Sequence, residues 1–150
     1  MRLKYILKRK GYTSIKLRTM ATKHLELKAT INGIKGRFIL DTGASSSCVG
    51  FEGIEKFKLK VQDTDTKAAG AGAVDMETKI SHKNSIKIKD WKYKAITLVV
   101  FDLGHVNTAL EQQSEGHIDG ILGADILEKG NAVIDYKKKR LHLKKLVYKY

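Results

Sequence analysis

The 150-residue chain contains no proline and only one cysteine, Cys48. A lone cysteine excludes an internal disulfide and fits a reducing compartment, so we expect a cytoplasmic protein. The absence of proline argues against a disordered proline-rich linker. No apolar run is long enough to span a membrane and no secretory signal is recognisable, so no membrane is expected among the partners.

Acidic residues are absent from both ends of the chain. Residues 1–20 and 137–150 each carry seven Lys or Arg and no Asp or Glu, whereas the middle of the chain is nearly neutral. Basic ends of this kind can bind nucleic acid or anionic lipid without sequence specificity. More often they are solvated surface that keeps a protein soluble, so nucleic acid is only a weakly supported partner.

The length and the hydrophobic content of 42% predict one globular domain over residues 1–150. We divide it into a basic N-terminal extension over residues 1–11, a core over residues 12–146 and a basic C-terminal tail over residues 147–150. The pattern of the extension fits a short helix and a frayed tail equally well.

Alternation of apolar and polar residues predicts an all-β core. Strands are expected over residues 12–18, 24–31, 35–40, 57–61, 76–80, 86–88, 93–101, 132–136 and 141–143. Asn32-Gly33 is a strong hairpin signal, and one short helix is expected to follow Gly123 and to end at Gly130. Residues 51–57 favour a short helical or irregular segment, and residues 102–117 favour a polar loop.

An acid stands at the point where one buried strand ends. The apolar run at residues 38–40 stops at Asp41, and Thr42-Gly43 follows at once. A carboxylate at the mouth of a core strand is costly unless it is hydrogen-bonded or used in function. Because an Asx-type turn also ends many strands, this stretch alone leaves a plain turn and a catalytic acid as alternatives.

A glycine-rich stretch of small residues, 67–74, lies between two of the predicted strands. Such a stretch is typical of a mobile hairpin whose backbone approaches another group closely. A phosphate-binding loop is not indicated, because Asp75 stands where a third glycine would be needed and the lysine-bearing pattern is absent.

Three motifs occur in one order along the chain: Asp41-Thr42-Gly43-Ala44-Ser45, the glycine-rich stretch, and the run from Asp119 to Leu127. From about residue 13 to residue 146, they resemble the retropepsin-like aspartic proteases, which include the retroviral proteases and their single-domain bacterial relatives. The resemblance implies an acid protease barrel with a flap hairpin and one short C-terminal helix. It also implies aspartic endopeptidase activity without a metal or another cofactor.

The resemblance implies roles for individual residues as well. The catalytic residues would be Asp41, Thr42 and Gly43, of which Asp41 is the acid. The residues that contact substrate would be Ala44, Ser45, Ser46 and Ile121, together with a flap tip formed by Ala69, Gly70, Ala71, Gly72 and Ala73. The residues that support the catalytic loop from behind would be Leu122, Gly123 and Asp125.

Hydrolysis of this type needs two carboxylates that share one proton. The chain has a single Asp-Thr-Gly, so the second carboxylate must come from another copy. The sequence therefore predicts a two-fold homodimer that acts on peptides or unfolded protein segments.

Other readings of the residues remain open. The five histidines are scattered without the spacing of a metal site, and Cys48 is more readily a buried small hydrophobe than a nucleophile. The same fold could also serve without catalysis, as a dimerisation or peptide-binding module that its basic ends recruit to nucleic acid.

Overall fold

The computed structural model describes residues 2–64 and 77–146, and strands dominate both ranges. The strands there are β1 (Tyr12–Lys16), β2 (Arg18–Thr19), β3 (Leu25–Ile31), β4 (Ile34–Leu40), β5 (Cys48–Val49), β6 (Gln62–Asp63), β7 (Lys79–Ile88), β8 (Trp91–Val100), β9 (Gly120–Leu122), β10 (Val133–Asp135) and β11 (Arg140–Lys144). The helices are short: α1 (Leu3–Arg9), α2 (Glu52–Lys56), α3 (Gly104–Gln112) and α4 (Ala124–Lys129).

Six of the strands close into a barrel. Hydrogen bonds join β3, β4, β9, β5, β8 and β7 in that order, and β3 also pairs with β7, which closes the ring. A separate three-stranded sheet has the order β1-β11-β10, so that β10 is one of its edges. The strand-dominated barrel predicted from the sequence is confirmed.

The interior of the barrel is filled by the apolar face of each strand. In β3, the alternating residues Leu25, Leu27, Ala29 and Ile31 are all buried, as the period of two predicts. Trp91 at the start of β8 is fully buried and donates a hydrogen bond from Nε1 to the carbonyl of Lys144, 3.0 Å away. Each large apolar side chain buried in this way contributes roughly 1.5–3 kcal/mol to stability.

The hairpin predicted from Asn32-Gly33 is present. Ile31 pairs with Ile34 across Asn32 and Gly33, whose φ angles of 49° and 84° are both positive, as a tight hairpin turn requires. The pairs β7–β8 and β10–β11 are antiparallel hairpins as well. The short helix expected after Gly123 is α4, which ends at Lys129 with Gly130 as its cap.

The prediction of a polar loop over residues 102–117 was wrong, because α3 lies within this range. The helix buries Leu110 and partly buries Val106, against neighbours that include Ile118 and Ile121. Leu103, Val106 and Leu110 are spaced by three and four residues, which is a helical period. That signal is present in the sequence, although the polar residues between hide it.

The prediction of a strand over residues 57–61 was wrong too. Phe57 caps α2, and the amide of Leu59 donates to the carbonyl of Ile54, 2.9 Å away, in a turn that ends this helix. Phe57 and Leu59 therefore lie at the C-terminal end of a helix, where alternate residues are buried just as they are on a strand. The N-terminal extension, whose structure the sequence left open, contains α1.

One buried histidine couples the stability of the small sheet to pH. His142 of β11 is 1% exposed; its Nδ1 lies 2.7 Å from Ser14 Oγ, and its Nε2 has no hydrogen-bond partner among the described residues. Burial lowers the pKa of His142, the charge of Asp135 opposes this, and the charges of Arg140 and Lys4 reinforce it. Protonation of His142 is therefore less favourable in the folded protein than in the unfolded chain.

We expect the free energy of unfolding to fall as the pH drops below about 6.5, the ordinary histidine pKa, because the unfolded state then binds more protons. Denaturant titrations between about pH 7.5 and pH 5 measure this slope. His142→Gln should flatten it, and His105→Gln, at an exposed histidine, should not. An unchanged slope in His142→Gln would contradict this role of the buried imidazole.

Candidate active site

Asp41 directly follows β4, where that strand runs parallel to β9. The pairs Phe38–Gly120, Ile39–Ile121 and Leu40–Leu122 set the register, and the Asp41 amide donates to the carbonyl of Leu122, 2.9 Å away. Parallel strands end at the same edge of a sheet. The acid is therefore fixed at an edge of the barrel by a backbone bond from the strand beside it.

A tight turn exposes the Asp41 carboxylate to solvent. The Gly43 amide donates to Asp41 Oδ1 at 2.9 Å, and the Ala44 amide donates to the Asp41 carbonyl at 3.2 Å. Asp41, Thr42 and Gly43 are all exposed in the single chain. The turn thus holds one carboxylate oxygen and presents the carboxylate outward, where another group can reach it.

A buried hydrogen-bond network braces the loop that follows. Ser47 is fully buried, and its hydroxyl donates to Asp125 Oδ1 at 2.7 Å and accepts from the Gly123 amide at 2.9 Å. Asp125, at the start of α4, also accepts from the Ser47 amide at 3.0 Å and from the Ile126 amide at 2.9 Å. The loop after Asp41 is therefore tied to the start of α4 through one hydroxyl and one carboxylate.

The backbone at Gly123, between β9 and α4, lies too close to the same loop for any side chain. A Cβ atom on Gly123 would lie 2.4 Å from the carbonyl oxygen of Ala44. That carbonyl accepts a hydrogen bond from the Ala124 amide at 2.7 Å. Only glycine at position 123 permits this approach, so the loop position depends on it.

We expect Ser47→Ala to destabilise the protein by about 2–3 kcal/mol, because it leaves the Gly123 amide buried without an acceptor and deprives the Asp125 carboxylate of a donor. Chemical denaturation measures this loss. Ser46→Ala is the matched control: Ser46 is exposed, so its truncation should change stability by less than about 0.5 kcal/mol. Equal stability of the two variants would contradict the bracing role of Ser47.

The structure places most of the predicted site residues around the Asp41 turn, and one group lies outside the described residues. Ala44, Ser45 and Ser46 continue the turn after Gly43 and are half-buried or exposed, while Ile121 is half-buried in β9 and pairs with Ile39 and Cys48. The predicted flap tip over residues 69–73 lies outside the described residues.

Sequence reasoning missed two polar residues that hold the site. Ser47 was missed because its partners are Gly123 and Asp125, 76 and 78 residues away. Asp119, to which no role was given, accepts from the Arg37 amide and from Lys56 Nζ, both at 2.9 Å. A serine beside an apolar pair and an acid before a glycine are weak signals by themselves.

An open groove begins beside the acid. It has a volume of about 460 Å³ and is lined by Thr42, Ala124, Leu127, Glu128, Asn131, Ala132 and Ile134. Residues from the Asp41 turn, from α4 and from the β10 region thus share one surface, and it is partly apolar.

The described residues near this turn do not indicate a metal site or a reactive cysteine. The described residues contain no group of three or more His, Cys, Asp or Glu arranged to hold a metal ion. Burial raises the pKa of Cys48 to about 12, which keeps the thiol protonated and unreactive. No helix within residues 2–64 and 77–146 is long and apolar enough to cross a membrane.

Comparison of the sequence with protein families identifies a family over most of the chain. A sequence model described as aspartyl protease matches residues 27–126, a stretch that contains most of β3 together with β4, the Asp41 turn and β9. A search of curated protein sequences finds no significant match.

Solved structures that are similar share the fold at low identity. A retropepsin-like aspartic protease from Rickettsia conorii is 24% identical with a TM-score of 0.59, over 90% of this chain and 91% of the other. The EIAV protease, in complex with the inhibitor HBY-793, is 24% identical with a TM-score of 0.54, over 75% and 93%. The retroviral protease-like domain of Ddi1 from Leishmania major is 18% identical with a TM-score of 0.54, over 82% and 90%.

Proposed function

Because this chain belongs to the aspartyl protease family, we propose that it is an aspartic endopeptidase whose catalytic acid is Asp41. The single observation that carries the proposal is the position of this carboxylate. It is exposed at the end of a core strand, one of its oxygens is held by the Gly43 amide, and its backbone is bonded to β9.

The proposed reaction uses two carboxylates that face each other. Two like charges about 3 Å apart cannot both ionise, so one carboxyl group keeps its proton and the other is a base. The base removes a proton from a bound water as the water oxygen attacks the peptide carbonyl carbon. The acid protonates the carbonyl oxygen. The tetrahedral intermediate then breaks at the C–N bond as the first carboxyl group returns its proton to the leaving amine and the second takes a proton from a hydroxyl of the intermediate.

The second carboxylate comes from the Asp41 of another copy in this proposal. One chain carries one Asp-Thr-Gly, and its acid faces solvent in the described structure. A two-fold axis beside Asp41 would place two identical carboxylates against each other in one shared site. A monomer would hold only half of the machinery.

The surface beside the acid suits such an association. The groove that starts at Thr42 reaches Ile134 of β10, which is half-buried and lies on the edge strand of the small sheet. An edge strand has unpaired backbone groups that can bond to a second strand. We propose that the partner covers this groove and this edge, which buries Ile134 and joins the Asp41 turns.

Substrate would lie extended between the two halves. Ala44, Ser45 and Ser46 follow Asp41 at the surface and are proposed to contact the peptide, as is Ile121 behind the turn. Residues 69–73 are proposed to close over it as a flap. Backbone hydrogen bonds to an extended peptide give affinity without strict sequence choice, so unfolded protein segments are the proposed substrate class.

The test is the cleavage of a reduced, unfolded protein substrate across about pH 4–7, repeated over a wide range of enzyme concentrations. We expect new peptide products and a specific activity that rises with concentration before it levels off, because two copies must meet. A specific activity that is independent of concentration down to the monomeric range would contradict the shared site. A folded dimer that cuts nothing would indicate a non-catalytic peptide-binding module instead.

A further inference from the structure

The N-terminal helix concentrates the exposed apolar side chains of the described chain. Of four large hydrophobic residues exposed there, Leu3, Tyr5 and Ile6 lie on α1, at 40%, 59% and 38% exposure, and only Tyr136 lies elsewhere. Leu7 is the one buried residue of this seven-residue helix. The helix thus buries one apolar side chain fully and leaves three others partly exposed, which favours contact with an apolar partner.

Cations from α1, β1, β11 and the turn between β7 and β8 gather around the same helix. The pKa of Lys4 lies below its ordinary value, first because of the charge of Arg140, then because of desolvation and the charges of Lys89, Lys8 and Lys16. We call these five residues, together with α1, the basic surface. The backbone places them together, because Lys16 and Arg140 are register partners across β1 and β11 and Lys89 Nζ donates to the carbonyl of Ser14 in β1, 2.9 Å away. These cations are therefore close enough to act on one anionic partner.

Few acids offset the basic surface. None of its five cations forms an ion pair within the described part of the chain. Asp90, next to Lys89, pairs with Lys145 instead at 3.5 Å, and Asp135 is the register partner of Arg140. Residues 1–20 contain no acid at all.

Basic and apolar side chains on one short helix fit a lipid surface better than a nucleic acid. Aliphatic side chains such as Leu3 and Ile6 add little to contacts with a phosphate backbone, whereas they lose water when they enter the boundary between headgroups and acyl chains. Lysines beside them are attracted to anionic headgroups. An anionic membrane uses both properties at once.

We propose that the basic surface is a peripheral contact site for an anionic lipid bilayer, with Leu3 and Ile6, three residues apart on one side of α1, at the headgroup boundary and the surrounding lysines on acidic headgroups. This contact would lie on the membrane and would not span it, so it revises the sequence-based expectation that no membrane is a partner. It is independent of the proposed proteolytic activity.

The test is co-sedimentation of the full chain with vesicles of phosphatidylcholine alone and of phosphatidylcholine mixed with phosphatidylserine. We expect binding only to the mixed vesicles. Removal of two cations in the Lys4→Gln/Lys8→Gln variant should weaken this binding roughly thirtyfold, at about fivefold for each lysine. The matched control, Lys28→Gln/Lys35→Gln, removes the same charge from two exposed positions of the β3–β4 hairpin and should bind like the parent.

A second variant separates lipid from other polyanions. Leu3→Gln/Ile6→Gln keeps every charge and leaves Leu7 in place, so the helix keeps its buried contact. We expect it to bind the mixed vesicles several-fold more weakly, with unchanged circular dichroism. Unchanged vesicle binding by this variant would overturn the proposal in favour of a general polyanion surface. So would the release of bound protein by an equal charge concentration of single-stranded RNA, or no binding to mixed vesicles at low salt.

Discussion

Asp41→Asn should abolish peptide hydrolysis, with a loss of kcat of at least about 10²–10⁴-fold. This is the range for removal of a general acid or base, and the exchange removes both carboxylates from a shared site. An amide neither accepts a proton from water nor donates one to the carbonyl oxygen as a carboxyl group does.

The fold should survive this exchange. Asparagine keeps the Oδ1 acceptor for the Gly43 amide, and the bond from the residue 41 amide to the Leu122 carbonyl uses backbone only. The side chain is exposed, so no buried charge is removed. The loss of activity can therefore be assigned to chemistry if the variant unfolds at the same denaturant concentration as the parent.

Asp102 offers a closely matched control. It is also exposed, and its Oδ1 accepts from the amide two residues later, Gly104, at 2.7 Å, just as Asp41 accepts from Gly43. Asp102→Asn should leave the rate of cleavage of an unfolded protein unchanged. Full activity in Asp41→Asn, or an equal loss in both variants, would contradict the assignment of the acid.

We expect Gly120→Ala to be the most destabilising single substitution. It should lower the free energy of unfolding by more than about 4 kcal/mol, a loss that is seen only when the core is severely disrupted. A Cβ atom there would lie 2.1 Å from the carbonyl oxygen of Cys48 and 3.0 Å from the ring of Phe38. The oxygen belongs to paired backbone of β5, so it cannot rotate away as a flexible side chain would. Strands β5 and β9 would have to separate.

The damage should extend to the candidate site, because β9 also supplies the Leu122 carbonyl that holds the Asp41 backbone. Thermal unfolding should show a melting temperature lower by roughly 8–16 °C, or no folded protein. Gly104→Ala is the control: the Cβ would meet only the exposed Asp102 side chain, at 2.9 Å, and alanine favours the start of α3. A Gly120→Ala protein within about 1 kcal/mol of the parent would contradict the close approach of the two strands.

Local signals in the sequence predicted the parts of the fold that depend on neighbouring residues. Asn32-Gly33 predicted the β3–β4 hairpin because positive φ at two consecutive positions is itself a local property. The same hairpin placed Asp41 at the end of a buried strand. Where the turn residues and the alternating pattern of the strands indicate the same hairpin, the sequence alone is enough to predict it.

Burial that depends on distant parts of the chain was not predictable in the same way. Phe57 and Leu59 alternate with polar residues as in a strand, yet they are buried at the C-terminal end of a helix. Whether such a pattern forms a strand or a helix end depends on how the segment packs against the barrel. Ser47 appears as one of three adjacent serines, and its importance comes from Asp125 and Gly123 far along the chain. Resemblance supplied the role of Asp125; it could not supply the serine that completes the network.

The proposal that two chains share one active site is tested most directly by mixing the parent protein with the Asp41→Asn variant. At a fixed total concentration, the two proteins are combined in several ratios, allowed to exchange subunits, and assayed on an unfolded protein substrate. If one site needs the Asp41 of both copies, only parent homodimers cut, and activity follows the square of the parent fraction, about one quarter at an equal mixture. Activity that falls in simple proportion, to about one half at an equal mixture, would contradict a site shared between two chains.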